Sequence, residues 1–186
     1  KTLIRNNHLK KYYGIGRNKF DIISCQFAIH YFFKNEESFA GLLQNIDDNV
    51  KAGGYFIGTC FDGEKVFEKL KDKSKICSEK PKDPSSKNIK SKSKKCTDVW
   101  YIKKKYKSES FPDNNTSLGM KINVFIDSIN NEIEEYLVNF KYLTKELEKI
   151  GFEKRNNDNF EALFNKLKTD TDFVMTDFDM TDVEKQ

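Results

Sequence analysis

Several things are missing from this chain of 186 residues. It has no apolar run of 18 residues, so nothing in it reads as a membrane-spanning helix, and no membrane partner is expected. No signal peptide is visible. Cysteine is scarce, with four residues at positions 25, 60, 77 and 96. None is in C-x-x-C spacing or near a pair of histidines, so no metal site is expected. Cys25 and Cys60 fall in apolar runs and read as small buried residues. A reducing, intracellular setting fits them better than a secreted one. In that setting the acceptor triplet Asn114-Asn115-Thr116 carries no meaning. No internal repeat is present.

Charge is plentiful. Charged residues make up 33% of the chain and apolar ones 37%, with a mean hydropathy of −0.74. The length suffices for one domain with a sizeable core. The polarity is high enough that part of it belongs to unpacked segments. Net charge is +4, unevenly spread. Residues 71–96 hold ten lysines against three acids, +7, which leaves −3 for the other 160 residues. A Lys-rich stretch over 72–97 therefore reads either as a surface for an anionic partner such as RNA or as a solvated, mobile insertion. The last segment, 169–186, is an acidic tail.

Regular structure is readable between these segments. Residues 1–19 carry an irregular helix ended near Gly14-Ile15-Gly16. Phe20–Ser24 reads as a buried parallel strand. Asn35 is a good N-cap, with Glu36 and Glu37 in the first turn. Phe39, Leu42, Leu43, Ile46 and Val50 then follow a helical period, and Gly53-Gly54 stops the helix. Tyr55–Phe61 is the next strand, completing a βαβ unit. A short helix spans Gly63–Lys71. Strands are expected at Val99–Ile102 running into Lys103–Lys107, at Met120–Ile126, and at Ile133–Val138, added antiparallel to the α/β core. Leu143–Ile150 is a short helix closed by Gly151. Phe152 opens a last strand, and a final helix carries Phe160, Leu163, Phe164 and Leu167, capped by Asp158 or Asn159.

The chemistry concentrates at the exit of the first strand, in Cys25-Gln26-Phe27-Ala28-Ile29-His30-Tyr31-Phe32-Phe33. An amide, an imidazole, a phenol and three phenylalanines suit a flat ligand with a polar edge. Strand exits are where open α/β sheets bind ligands. Pattern alone leaves alternatives. His30 is a ligand group or a core histidine, and Gln26 binds a ligand or a loop backbone. Glu135 lies on the packed face of its strand, where an unpaired carboxylate needs a reason, or it is simply solvated. Lys103, Lys104, Lys105 and Lys107, near Tyr101 and Tyr106, track phosphates or protect a strand edge.

Three motifs carry a family resemblance. Phe20-Asp21-Ile22-Ile23-Ser24 with the Cys25–Phe33 stretch, Gly53-Gly54-Tyr55-Phe56-Ile57-Gly58-Thr59, and Glu135-Tyr136-Leu137-Val138 resemble the mRNA cap guanine-N7 methyltransferases. The resemblance covers roughly residues 20–165 and implies a class I (Rossmann-like) methyltransferase fold with S-adenosyl-L-methionine as cofactor. It implies that Gln26 and Tyr31 contact the cofactor, and that His30 and Glu135 bind the cap guanine. The implied reaction is methyl transfer to N7 of the 5′ cap guanine. The implied partners are capped mRNA and other capping enzymes or polymerase machinery. The place of work is the nucleus, or a cytoplasmic viral factory for a viral protein. The alternative is a non-catalytic cap- or RNA-binding or activating module derived from such an enzyme.

The family's glycine-rich cofactor loop and its ribose-binding acid do not precede Phe20. Gly14-Ile15-Gly16 has no buried strand leading into it and is not that loop. The final aromatic strand, with its guanine-pocket tyrosine, is also absent. The expectation is therefore one partial methyltransferase domain over 1–186, the C-terminal portion of the fold, inactive in isolation.

Overall fold

The computed structural model describes residues 13–79 and 96–169. Most of the expected N-terminal helix, residues 80–95 of the Lys-rich stretch and the acidic tail from 170 lie outside these residues. The chain forms two compact units, residues 1–152 and 153–186.

In the first unit, β1 (Phe20–Gln26) is followed by α1 (Ile29–Phe32) and α2 (Glu36–Asn49), and then by β2 (Val50–Thr59). β1 and β2 pair in parallel, with Ile23 opposite Phe56 and Gln26 opposite Thr59. α2 forms where its cap predicts, because the Asn35 side chain accepts the Ser38 N–H at 2.8 Å. Its apolar stripe buries Phe39, Leu42 and Ile46, the last two in a cluster that takes in Val50, Ile23 and Phe56. Burial of each such side chain contributes about 1.5–3 kcal/mol.

This half differs in detail from the sequence reading. The helix stops at Asn49, before the glycines, and Gly53 (φ 80°) sits inside β2 at a register shift. β-branched Val50 already favours extended backbone, and the glycines let the strand buckle. β1 is also not buried on both faces. Ile23 and Cys25 pack inward, whereas Ile22, Tyr55 and Ile57 are exposed. α2 packs against the face that carries Ile23 and Phe56.

Downstream, α3 (Gly63–Lys69) leads to β3 (Lys75–Glu79), β4 (Cys96–Lys104), β5 (Lys121–Ile126) and β6 (Asn131–Tyr136), an antiparallel sheet in that order. β3 lies within the stretch expected to be irregular. Ile76 pairs with Ile102 and packs on the core, which suffices to order it. Cys77 on β3 is disulfide-bonded, a departure from the reduced thiols expected, whereas Cys25 and Cys60 are free. Val66, Phe67 and Leu70 pack on Ile102, Ile122, Val124 and Leu137 to form the core of this half. A parallel pair with added antiparallel strands is the mixed α/β architecture expected.

α4 (Phe140–Lys149) closes the unit. Its cap, Asn139, is buried, accepts the Tyr142 N–H at 3.0 Å, and donates to the Pro112 carbonyl and the Asp113 carboxylate. The strand expected at Phe152 does not form. Phe152 packs beside Leu147, and the polar residues after it find no strand to pair with. In the second unit, α5 (Phe160–Thr169) is capped by Asn159, which accepts the Ala162 N–H at 2.7 Å.

Candidate functional site

The backbone turns sharply where β1 ends. Phe27 has φ 50°, a left-handed conformation that a bulky side chain adopts only when its surroundings hold it there. Its N–H donates to the Thr59 carbonyl at 2.9 Å and to Thr59 Oγ1 at 3.1 Å. Phe27 is 63% exposed, and Tyr31 and Phe61 are exposed as well, so three aromatic side chains face solvent near the strand exits.

α1 begins two residues later and turns its flanks inward. Ile29 and Phe33 are buried with Phe39, Val138 and Tyr142, and the Gly119 N–H donates to the Phe33 carbonyl at 2.8 Å. Gly58 of β2 makes room for this packing, since a Cβ there would lie 2.5 Å from Ile29 Cδ1 and 2.9 Å from the Cys25 carbonyl oxygen. Held between these anchors, His30 is only 6% exposed.

Glu135 reaches the same place from the other sheet. It stands opposite Ile122 on β6 and is 8% exposed. Leu137 beyond it joins the Ile122 cluster, whereas Tyr136 and Val138 pack against Ile29 and Phe33. The strand end is thus packed around Glu135, and the solvated alternative does not hold.

His30 Nδ1 lies 3.7 Å from Glu135 Oε2, too far for a hydrogen bond. Both His30 ring nitrogens and Glu135 Oε2 are buried without any hydrogen-bond partner. Such atoms cost about 1–3 kcal/mol each when left unpaired. Burial pushes the Glu135 carboxyl up to about 7 and pulls His30 below its ordinary value. Desolvation drives both groups toward their neutral forms, so the pair is no fixed ion pair. Cys60 is adjacent in the same field. Burial first, then Asp62, Cys25 and Glu135, raise its thiol to about 12, so it is no nucleophile.

The four residues singled out in the sequence are therefore arranged unequally. His30 and Glu135 are brought together from opposite sheets. The Tyr31 ring stands edge-on to His30 at 4.2 Å between centroids. Gln26, at the exit of β1, is exposed, and its amide is engaged by Thr59 and Ser24. The sequence reading missed this link. The only signal for it was a threonine closing the second strand, visible once the parallel register is known.

The phosphate-tracking role weighed for Lys103 gains no geometry. Lys103 is bonded to Glu132, which also accepts from Tyr101 and Asn123 and whose carboxyl is held down to about 2 by Lys103 first. A cleft of about 460 Å³ between α2 and α4 holds none of the four residues, and charged side chains line much of it. It does not carry the chemistry. Among the described residues, no group of three metal-ligating side chains is gathered and no helix is long and apolar enough to cross a membrane.

Comparison with known proteins gives the family. A family model described as "mRNA (guanine-N(7))-methyltransferase domain" matches residues 4–186. The chain is 35% identical over 185 residues to a "Probable mRNA-capping enzyme" of Acanthamoeba polyphaga mimivirus, covering 97% of this chain and 15% of that protein. It is 28% identical over 146 residues to the "mRNA cap guanine-N(7) methyltransferase" of Candida albicans, covering 78% of this chain and 29% of that protein. A 53-residue match at 42% identity links it to "mRNA cap guanine-N(7) methyltransferase 1" of Arabidopsis thaliana, covering 28% and 14%. The chain thus spans less than a third of the length of each of these relatives.

Proposed function

Because the chain belongs to the mRNA (guanine-N(7))-methyltransferase family, we propose that it is part of an enzyme that methylates N7 of the guanine in the 5′ cap of mRNA. The observation that carries this reading is the buried, unpartnered pair His30 and Glu135 beside an exposed aromatic rim.

Guanine presents N1–H and its N2 amino group along one edge, and a carboxylate accepts both. Glu135 is the carboxylate available for that role. Its unpaired Oε2 is the kind of buried acceptor that a donor edge would satisfy. Adenine has no such donor pair and leaves the carboxylate unpaired. His30, kept neutral by burial, places no positive charge against a base that becomes cationic. Tyr31 offers a ring beside it, on the side assigned to the cofactor.

S-adenosyl-L-methionine, when bound, supplies the electrophilic methyl group. Gln26 is a fitting contact for it, because its exposed amide retains one N–H and one lone pair beyond its two internal bonds. N7 is a lone pair on a neutral base, so no side chain has to remove a proton. The residues of this chain act by orienting the guanine and excluding water. Once the guanine donors pair with it, the Glu135 carboxyl is held in its ionised form and also favours the positive charge that develops on the ring. The substrate is capped mRNA. The setting is the nucleus, or a viral factory if the parent is viral, alongside other capping enzymes or the polymerase machinery.

The test is methyl transfer from labelled S-adenosylmethionine to RNA with an unmethylated guanosine cap, using the complete parent polypeptide. N7-methylguanosine should form, and His30→Ala and Glu135→Ala should abolish it. Capped RNA that binds without being methylated would point instead to a binding module.

A further inference from the structure

Thr59 closes β2 directly beside Gln26. Its hydroxyl makes two bonds, accepting the Phe27 N–H at 3.1 Å and donating to Gln26 Oε1 at 2.7 Å. Gln26 Nε2 in turn donates to Ser24 Oγ at 2.9 Å. The bonds run in one direction: Phe27 N–H to Thr59, Thr59 O–H to Gln26, and Gln26 N–H to Ser24. Because the hydroxyl already accepts from a backbone N–H, its proton points at Gln26. That settles which end of the amide is oxygen and which is nitrogen. The same threonine's carbonyl takes the Phe27 N–H at 2.9 Å, so one residue holds both the amide and the left-handed turn after it.

We infer that Thr59 is a positioning residue for the cofactor, which fixes the orientation of Gln26 and the turn at Phe27 without touching the ligand itself. This rests on the reading of Gln26 as a cofactor contact. Without the hydroxyl, the amide keeps only its bond to Ser24, whose hydroxyl can donate as well as accept, so nothing fixes which end of the amide is which. Phe27 then loses the hydroxyl's hold on a conformation that is unfavourable for phenylalanine. An amide free to flip loses orientation on binding that the doubly tethered one has already given up.

The experiment is equilibrium binding of S-adenosylmethionine to the parent polypeptide, with capped-RNA affinity measured alongside. Thr59→Val removes the hydroxyl at almost constant shape and should weaken cofactor binding about tenfold, the order of one lost hydrogen bond. Thr59→Ser keeps the hydroxyl and should stay within about twofold of the parent. Capped-RNA affinity should not move, whereas a merely structural role would lower both affinities together. Combining Thr59→Val with Gln26→Ala should cost less than the sum of the two losses, because part of the threonine's effect acts through that amide. Should Thr59→Val lose its fold, Ser24→Ala, at an exposed position on the far side of the amide, reports the same effect at about threefold. Weak binding by Gln26→Ala with full binding by Thr59→Val, or by Ser24→Ala where that variant stands in, overturns the role of Thr59. Full binding by Gln26→Ala overturns the reading of Gln26 on which that role rests.

Discussion

His30 Nδ1 and Glu135 Oε2 face each other at 3.7 Å, one delivered by the exit of a parallel strand and the other by an antiparallel sheet. Neither atom has a hydrogen-bond partner, and neither is open to water. Glu135→Gln preserves the shape but turns one acceptor into a donor facing the donors of guanine. Methyl transfer by the parent enzyme should fall about 100-fold, with S-adenosylmethionine affinity within about twofold. Steady-state rates together with cofactor titration check this, and unchanged turnover would sink the guanine-reading role.

The same carboxyl makes stability depend on pH. Its folded value is raised from 4.5 to about 7, so the folded chain keeps a proton that the unfolded chain releases. Stability from this group is full below about pH 4.5 and is lost as pH rises to about 7. Over that window the chain should lose roughly 3 kcal/mol relative to Glu135→Gln. His30 titrates in the opposite sense and is present in both proteins, which is why the difference rather than either curve is compared. Urea unfolding of the two proteins from pH 4 to 8 gives the curve, and a flat difference contradicts it.

Gly58 and Gly41 should respond oppositely to alanine. A methyl at Gly58 meets Ile29 Cδ1 and the Cys25 carbonyl oxygen, and relieving the clash should cost about 2 kcal/mol. At Gly41, inside α2, a Cβ meets nothing within 4 Å, and alanine should stabilise by about 0.5–1 kcal/mol. Denaturant midpoints of the two variants, moving in opposite directions, are the expected result.

Asn139→Ala should cost about 2 kcal/mol. It removes a helix cap and leaves the Tyr142 N–H and the Pro112 carbonyl without this partner at a buried position. Thermal unfolding measures the loss, and a shift no larger than that of an exposed surface variant counts against it.

Much of this architecture was legible because local signals agreed. Asn35, the two glutamates and the spacing of Phe39, Leu42 and Ile46 all specify one helix, and that helix formed. The facing of Glu135 was not legible. Glu134 and Glu135 alternate, and only the register that sets Glu135 opposite Ile122 decides which one is buried. β3 escaped notice because Ile76 and Cys77 are too short an apolar run to signal a strand before its partner is known. Gly53-Gly54 looked like a helix stop because a strand that buckles needs the same residues as a chain that turns. The Thr59–Gln26 bond joins residues 33 apart, a distance that no local pattern spans.

The exposed apolar residues of the β1–β2 pair have a practical consequence. Ile22, Tyr55 and Ile57 form an oily strip on strands of a kind that is normally sandwiched between helices. A preparation of this chain alone should therefore be sticky. It should foul columns, light up with hydrophobic dyes and clump as concentration rises. Polar substitutions at these exposed positions are the first route to material that stays in solution.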